Sequence, residues 1–264
     1  MGLGDQLIAT GIARNAWAER GARIAFGAHG RVMWDKNSEE VFRHNPNILA
    51  PGNEGRGKIE WVPFYKGNRG YNRQGAGHWI WNMEWQCKPG QFFFRASETT
   101  AGARLGTGFV VVEPNVPEWK SSDSNKRWPF ERYQAVTDEL VSKGFQVVQF
   151  NAPGKLAGRL LQRAGHVATR SFRDAAAILR NSVLYIGPEG GMHHAAAAVG
   201  VPAVVIFGGF IPPSVTGYEI HKNIPGSDRF CGAFEACKHC ADAMQSISVD
   251  TVTNAARGFL KWST

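Results

Sequence analysis

The residues best suited to chemistry lie on either side of Gly190. Gly187-Pro188-Glu189-Gly190-Gly191 is a glycine-rich loop that a ligand or another backbone can approach closely. From Met192 an alanine-rich helix follows, and its first-turn N–H groups and positive dipole end make a site suited to phosphate. The same glycines would also serve tight helix–strand packing. Lys126, just before a helix start, is placed to neutralise a diphosphate, and the hydroxyls of Ser121, Ser122 and Ser124 could add donors. The bland alternative for Lys126 is an exposed loop lysine. His193 and His194 are adjacent, so on a helix they point about 100° apart and should not chelate one metal as an i, i+4 pair would. His194 is expected to cap or line the phosphate site. Cys231, Cys237, Cys240 and His239 have the residue types of a zinc site, but a spacing of only moderate specificity, and no metal is assigned.

These groups need elements to hold them. Val183 to Ile186 and Ala203 to Phe207 are short, β-branched apolar runs, as in strands buried on both faces. The helix between them closes at Gly200 before Pro202. Upstream, Phe109 to Glu113 reads as a strand, Asn115 to Lys126 as a polar loop, and Trp128 to Lys143 as a helix with Pro129 in its first turn. Gln146 to Phe150 is another strand and Ser171 to Asn181 another helix. This alternation predicts an α/β protein with a parallel, doubly wound sheet. The opening, GLGDQLIATGIARNAWAERG, predicts a glycine loop and a helix from about Asp5 to Arg20, then a strand over Arg23 to Gly27. Asp35 to His44 reads as a helix, Pro46 to Pro51 as a turn, and Lys58 to Tyr65 as a strand. Tyr71, Trp79, Trp81, Trp85 and Phe92 to Phe94 are expected in the core, with a minority free to line a groove. Ala101 to Gly108 reads as a linker. It divides the chain into two lobes, 1–105 and 106–264.

The chain has 264 residues, 43% of them hydrophobic, enough for one sizeable core or two small ones. Four cysteines in this length are not a disulfide framework, which favours a reducing, cytoplasmic compartment. No apolar run is long enough to span a bilayer, so stable membrane insertion is not expected, and the opening lacks the pattern of a signal peptide. The net charge of +8, with Arg56, Lys58, Lys66, Arg69 and Arg73 offset only by Glu54 and Glu60, suits an anionic partner: a phosphorylated saccharide, a membrane surface or a nucleic acid. A solvated basic face explains it equally well.

Three motifs in order give the chain a family resemblance. VLYIGPEGGMHHAAAAVGVPAVVIFGG is similar to the donor-binding motif of glycosyltransferase family 9, the heptosyltransferase-like enzymes, with Glu189, Gly191, His194 and Gly200-Val201-Pro202 on the family's Asp, Gly, His and GVP. Lys126-Arg127-Trp128-Pro129 matches its KRWP segment, and Gly4-Asp5 with Ala9-Thr10 matches its GDxLxAT opening. Cysteine loops like the one here occur in that family before a segment such as Met244 to Val252. The resemblance implies a GT-B-like fold of two Rossmann-like lobes with parallel sheets and a cleft between them. It implies metal-independent, inverting transfer of a sugar from a nucleotide diphosphate, with no further cofactor. Asp5 is then the general base, and Lys126, Ser122, Ser124, Glu189, Gly190, Gly191, Met192 and His194 bind the donor. Other features depart from the family. Only Met1 precedes Gly2, where members carry a strand, so that strand is either cut off, lost or replaced. Asn115-Val116-Pro117 stands for Gly-Ala-Ser. Asn151 to Lys155 lacks the glutamate that contacts the nucleoside, so adenine specificity is not implied. The acceptor stays open among saccharide, lipopolysaccharide-type and modified-DNA hydroxyls, and so does a peripheral place at the inner membrane face. A nucleotide-sugar epimerase or hydrolase and an inactive nucleotide-sugar-binding module stay open as well.

Overall fold

The computed structural model describes residues 2–55, 57–63, 69–117, 121–152 and 158–262. Arg56, Lys66, Tyr65, the Pro153 to Lys155 part of the nucleoside region and the Ser121 side chain lie outside them.

The first half opens with helix α1, Leu3–Arg20, whose Leu7, Ala9, Ala13 and Ala16 are fully buried. It ends at Gly21, where a φ of 60° suits glycine. Strand β1, Arg23–Ala28, is paired on both edges. Strand β3, Ile59–Pro63, runs parallel along one edge. The Ile24–Ile48 bridge and the two-residue antiparallel β2, Arg31–Val32, cover the other. Helix α2, Lys36–Phe42, is capped by Asp35, which accepts from the Ser38 amide at 2.7 Å. A small hairpin follows, β4, Asn72–Gln74, with β5, Trp79–Trp81.

The second half is a six-stranded parallel sheet with the order β11-β10-β9-β6-β7-β8. Its strands are β6, Val110–Val112; β7, Val147–Asn151; β8, Gly165–Ala168; β9, Leu184–Pro188; β10, Ala203–Gly208; and β11, Lys222–Pro225. The chain steps outward from β6 to β8, then returns to lay β9 against the other edge of β6. The carboxyl ends of β6 and β9 thus frame the topological switch point, the usual ligand crevice of such sheets. Strand β9 runs through Pro188, so Gly187 and Pro188 belong to the strand rather than to the loop after it.

Helices cover both faces. Helix α4, Phe130–Ser142, and α9, Val249–Leu260, lie on one side with Trp128, Tyr133, Leu140 and Val252 against Val110, Leu184 and Ile206. Pro129 caps α4 rather than sitting in its first turn. Helix α5, Phe172–Leu179, and α6, Gly191–Val199, lie on the other side. There Val111, Tyr185 and Val205 join Leu7, Phe26 and Phe42 of the first half in one continuous cluster.

The expected linker is instead helical: α3, Ala96–Gly102, continues into a 3-10 turn over Ala103–Leu105. Gly102 is there for close approach, since a Cβ on it would fall 2.4 Å from the Ala177 carbonyl of α5. Its neighbour Arg173 is 3% exposed and fully engaged, donating to Glu98, to the carbonyls of Glu40 and Arg43, and to that of Phe93. It thereby ties α2, α3 and α5 together. Among the described residues no helix is long and apolar enough to cross a membrane.

Candidate active site

Two helix N-termini meet in the structure. Gly4 in the first turn of α1 packs on His194 in the first turn of α6 so closely that a Cβ at Gly4 would lie 2.7 Å from His194 Cδ2. Leu3 approaches Gly191 in the same way. Asp5 and the Gly190–Gly191 helix start, 185 positions apart in the chain, therefore border one space.

Asp5 is 10% exposed and held on both oxygens. Oδ2 accepts from the Gly2 amide at 3.1 Å, so the residue does cap its helix. Oδ1 accepts from Tyr71 Oη at 2.5 Å and lies 3.0 Å from Arg69 Nε. Burial first, and then the Asp5 charge, push the Tyr71 phenol well above its ordinary range, so it stays a hydrogen-bond donor. Arg69 rests over the rings of Tyr71 and Trp79, at 5.9 and 5.6 Å. It is thus folded inward and not part of an exposed basic face. Lys58 bonds the Arg20 carbonyl, Glu60 pairs with Arg20, and Arg73 is exposed on β4.

Lys126 closes the 3-10 helix Ser121–Lys126, which also carries the half-buried Ser122 and Ser124. Its ammonium donates to Glu189 Oε2 and lies 5.0 Å from the Phe210 ring centroid. Glu189, 5% exposed, sits at the end of β9. Burial works against its ionisation, but the Lys126 charge, aided by His193, outweighs it and holds the carboxyl below its ordinary value. An ammonium has three donors, and one is spent on Glu189. Gly190 caps α6 and its amide donates to His193 Nδ1 at 2.9 Å, while His193 Nε2 bonds the Thr216 carbonyl at 3.0 Å. His194 is 3% exposed, with Nδ1 2.7 Å from Tyr218 Oη and Nε2 3.9 Å from Glu189 Oε1. Burial, then the neighbouring His193 and Lys126, keep it neutral. Its ring lies against Gly4 of α1, and Met192 packs half-buried on the core.

The two histidine rings do not diverge as expected. Their centroids are 3.9 Å apart, and the ligand atoms of Glu189, His193 and His194 lie within 4.8 Å of one another. Both His193 nitrogens are engaged, and the Lys126 ammonium holds Glu189.

Tyr71, Arg69 and Tyr218 went unread in the sequence. Arg69 and Tyr71 were signalled only by membership of the basic and aromatic stretches, and Tyr218 by nothing, because their partners lie far off in the chain. Glu113 also went unread. It ends the stretch after β6 at the switch point, accepts from Asn115, and burial pushes its carboxyl up to about 8.

The doubly wound parallel sheet places a helix N-terminus and a lysine at its carboxyl edge, beside the topological switch point, in an α/β protein. Residues 95–245 match glycosyltransferase family 9 (heptosyltransferase), and the chain belongs to that family. Lipopolysaccharide heptosyltransferase 3 of Escherichia coli is 28% identical over 119 residues, which are 40% of this chain and 33% of that one. The chain thus spans about a third of the length of this curated relative. A family 9 glycosyl transferase from Veillonella parvula superposes with a TM-score of 0.67 at 15% identity, over 100% of this chain and 96% of that one. An iron-containing dodecameric glycosyltransferase from enterotoxigenic E. coli superposes at 0.66 and 13% identity, over 99% and 74%. These likenesses show the GT-B fold.

Proposed function

We propose that this chain transfers a sugar from a nucleotide diphosphate to an acceptor hydroxyl with inversion. The observation that carries the reading is the packing of the α1 start, which carries Asp5, on the α6 start, which follows the Glu189 that Lys126 holds. The acceptor oxygen attacks the anomeric carbon and gives its proton to Asp5, while the bond from that carbon to the phosphate oxygen breaks. The nucleotide diphosphate departs with its electron pair, and Lys126 with the first-turn amides of α6 receives the charge. Tyr71 and Arg69 hold Asp5 by one oxygen. Ser122 and Ser124 lie on the Lys126 segment as further phosphate donors. With Lys126 and the helix dipole on the leaving group, the step needs no divalent metal there.

The test is Asp5→Asn, which keeps the size and the helix cap. Turnover should fall by roughly 10²–10⁴-fold. Donor affinity, measured by calorimetry, should be unchanged. An Asn variant that folds, binds donor and turns over normally would put the base elsewhere. Donor consumed equally with and without acceptor would make the protein a hydrolase. Restoration of chelator-inhibited turnover by magnesium would refute the metal-free step.

A further inference from the structure

The loop after β11 and the first turn of α8, Lys238–Ser246, together gather three cysteines that the proposed reaction does not use. Cys231 Sγ is 3.3 Å from Cys240 Sγ and 3.6 Å from Cys237 Sγ, and all three sulfurs lie within 4.8 Å of one another. Thiols have little reason to crowd in this way, since S–H is a weak donor and S a weak acceptor. A disulfide would need about 2.05 Å. A tetrahedral ion with metal–sulfur bonds of about 2.3 Å sets its thiolates about 3.7 Å apart, close to the spacings here. Cys237 is the N-cap of α8. His239 points away, its Nε2 3.1 Å from the Arg229 carbonyl. Among the described residues the cluster therefore offers three sulfur corners, and the fourth is left to a solvent-borne ligand.

We infer that Cys231, Cys237 and Cys240 form a thiolate site for a soft transition-metal ion, zinc or iron by its donor chemistry. The ion is a staple for two neighbours. The Cys237 amide donates to Asn125 Oδ1 at 2.9 Å, and Asn125 Nδ2 to the Glu235 carbonyl at 2.8 Å, which fixes the residue before Lys126. On the other side, the Trp79 amide donates to the Gly232 carbonyl at 2.8 Å, which docks the hairpin that follows Arg69 and Tyr71. The site stands on these sulfurs alone and does not depend on sugar transfer.

The full chain, purified under reductant and dialysed free of loose metal, is assayed for zinc and iron by elemental analysis. It is then stripped and titrated with Co²⁺. The expected result is one class of tight site, a thiolate-to-cobalt charge-transfer band, and retention of zinc or iron, either ion supporting the inference. Cys237→Ser should weaken Co²⁺ binding by more than about 100-fold, beyond the loss of an outer-shell partner. If that variant does not fold, the wild type decides. Added zinc should slow alkylation of the three thiols, and its removal should speed amide exchange at Cys237 and Gly232 by about tenfold or more. No retained metal, no cobalt band and equal thiol reactivity with and without zinc would overturn the inference. So would a native Cys231–Cys240 disulfide.

Discussion

Replacing Lys126 by Met tests the pair at the heart of the site. The substitution keeps a side chain of similar length against Phe210 but leaves the Glu189 carboxyl, 5% exposed, without its ammonium partner. Removing one member of a fully buried pair costs about 3–5 kcal/mol. Lys126 keeps 21% of its surface in solvent, which lowers the expected loss at neutral pH to about 2–3 kcal/mol. The pH dependence is more telling. In the wild type the folded Glu189 value lies below the ordinary 4.5, so the pair contributes stability above that pH and loses it as pH falls through the folded value. In the variant, burial remains and the Lys126 charge does not, so Glu189 moves up. Its contribution then falls as pH rises through the raised value. The stability gap between the two proteins should therefore widen from acid to neutral pH, read from urea denaturation across that range. Adding Glu189→Gln should recover much of the loss. A gap of constant size, or of less than about 1 kcal/mol at neutral pH, would refute this account of the pair.

Tyr71→Phe removes the donor to Asp5 Oδ1 and should lower kcat about tenfold with donor KM unchanged; a raised KM at unchanged kcat would assign Tyr71 to donor binding instead. Arg173→Met should cost about 3–5 kcal/mol in denaturation, since it strands Glu98 and several carbonyls. Glu98 is held at about 2, chiefly by its hydrogen bonds to Arg173, so the wild type should lose stability between pH 4.5 and about 2. That acid-linked loss should be absent from the Arg173 variant.

Local patterns carried much of this structure into view. Buried parallel strands declare themselves as apolar runs, and so β6, β7, β9 and β10 are legible, as is the glycine start of α6. Strands β8 and β11 are not. Gly165-His166-Val167-Ala168 and Lys222-Asn223-Ile224-Pro225 sit at the sheet's edges, mostly exposed, and need no apolar pattern. The glycines of 101–108 read as a linker; in the structure Gly102 serves helix contact and α3 runs through the segment's start. Asp5 and Lys126 were recognisable from their motifs. What orients them was not, because Tyr71 and Glu189 reach them across 66 and 63 positions through tertiary packing.

The core that joins Leu7, Phe26 and Phe42 to Val111, Tyr185 and Val205 bears on how the chain can be divided. A cut near residue 105 would not release two stable pieces, because each would carry half of an apolar interface into water. The face of α1 and β1 buried there is completed by α5 and α6, which are made long after it in synthesis order. The N-terminal third must therefore wait, incompletely covered, until the chain has grown past Val205. Its folding is completed by the C-terminal sheet, so that the whole chain, rather than either half, is the cooperative unit.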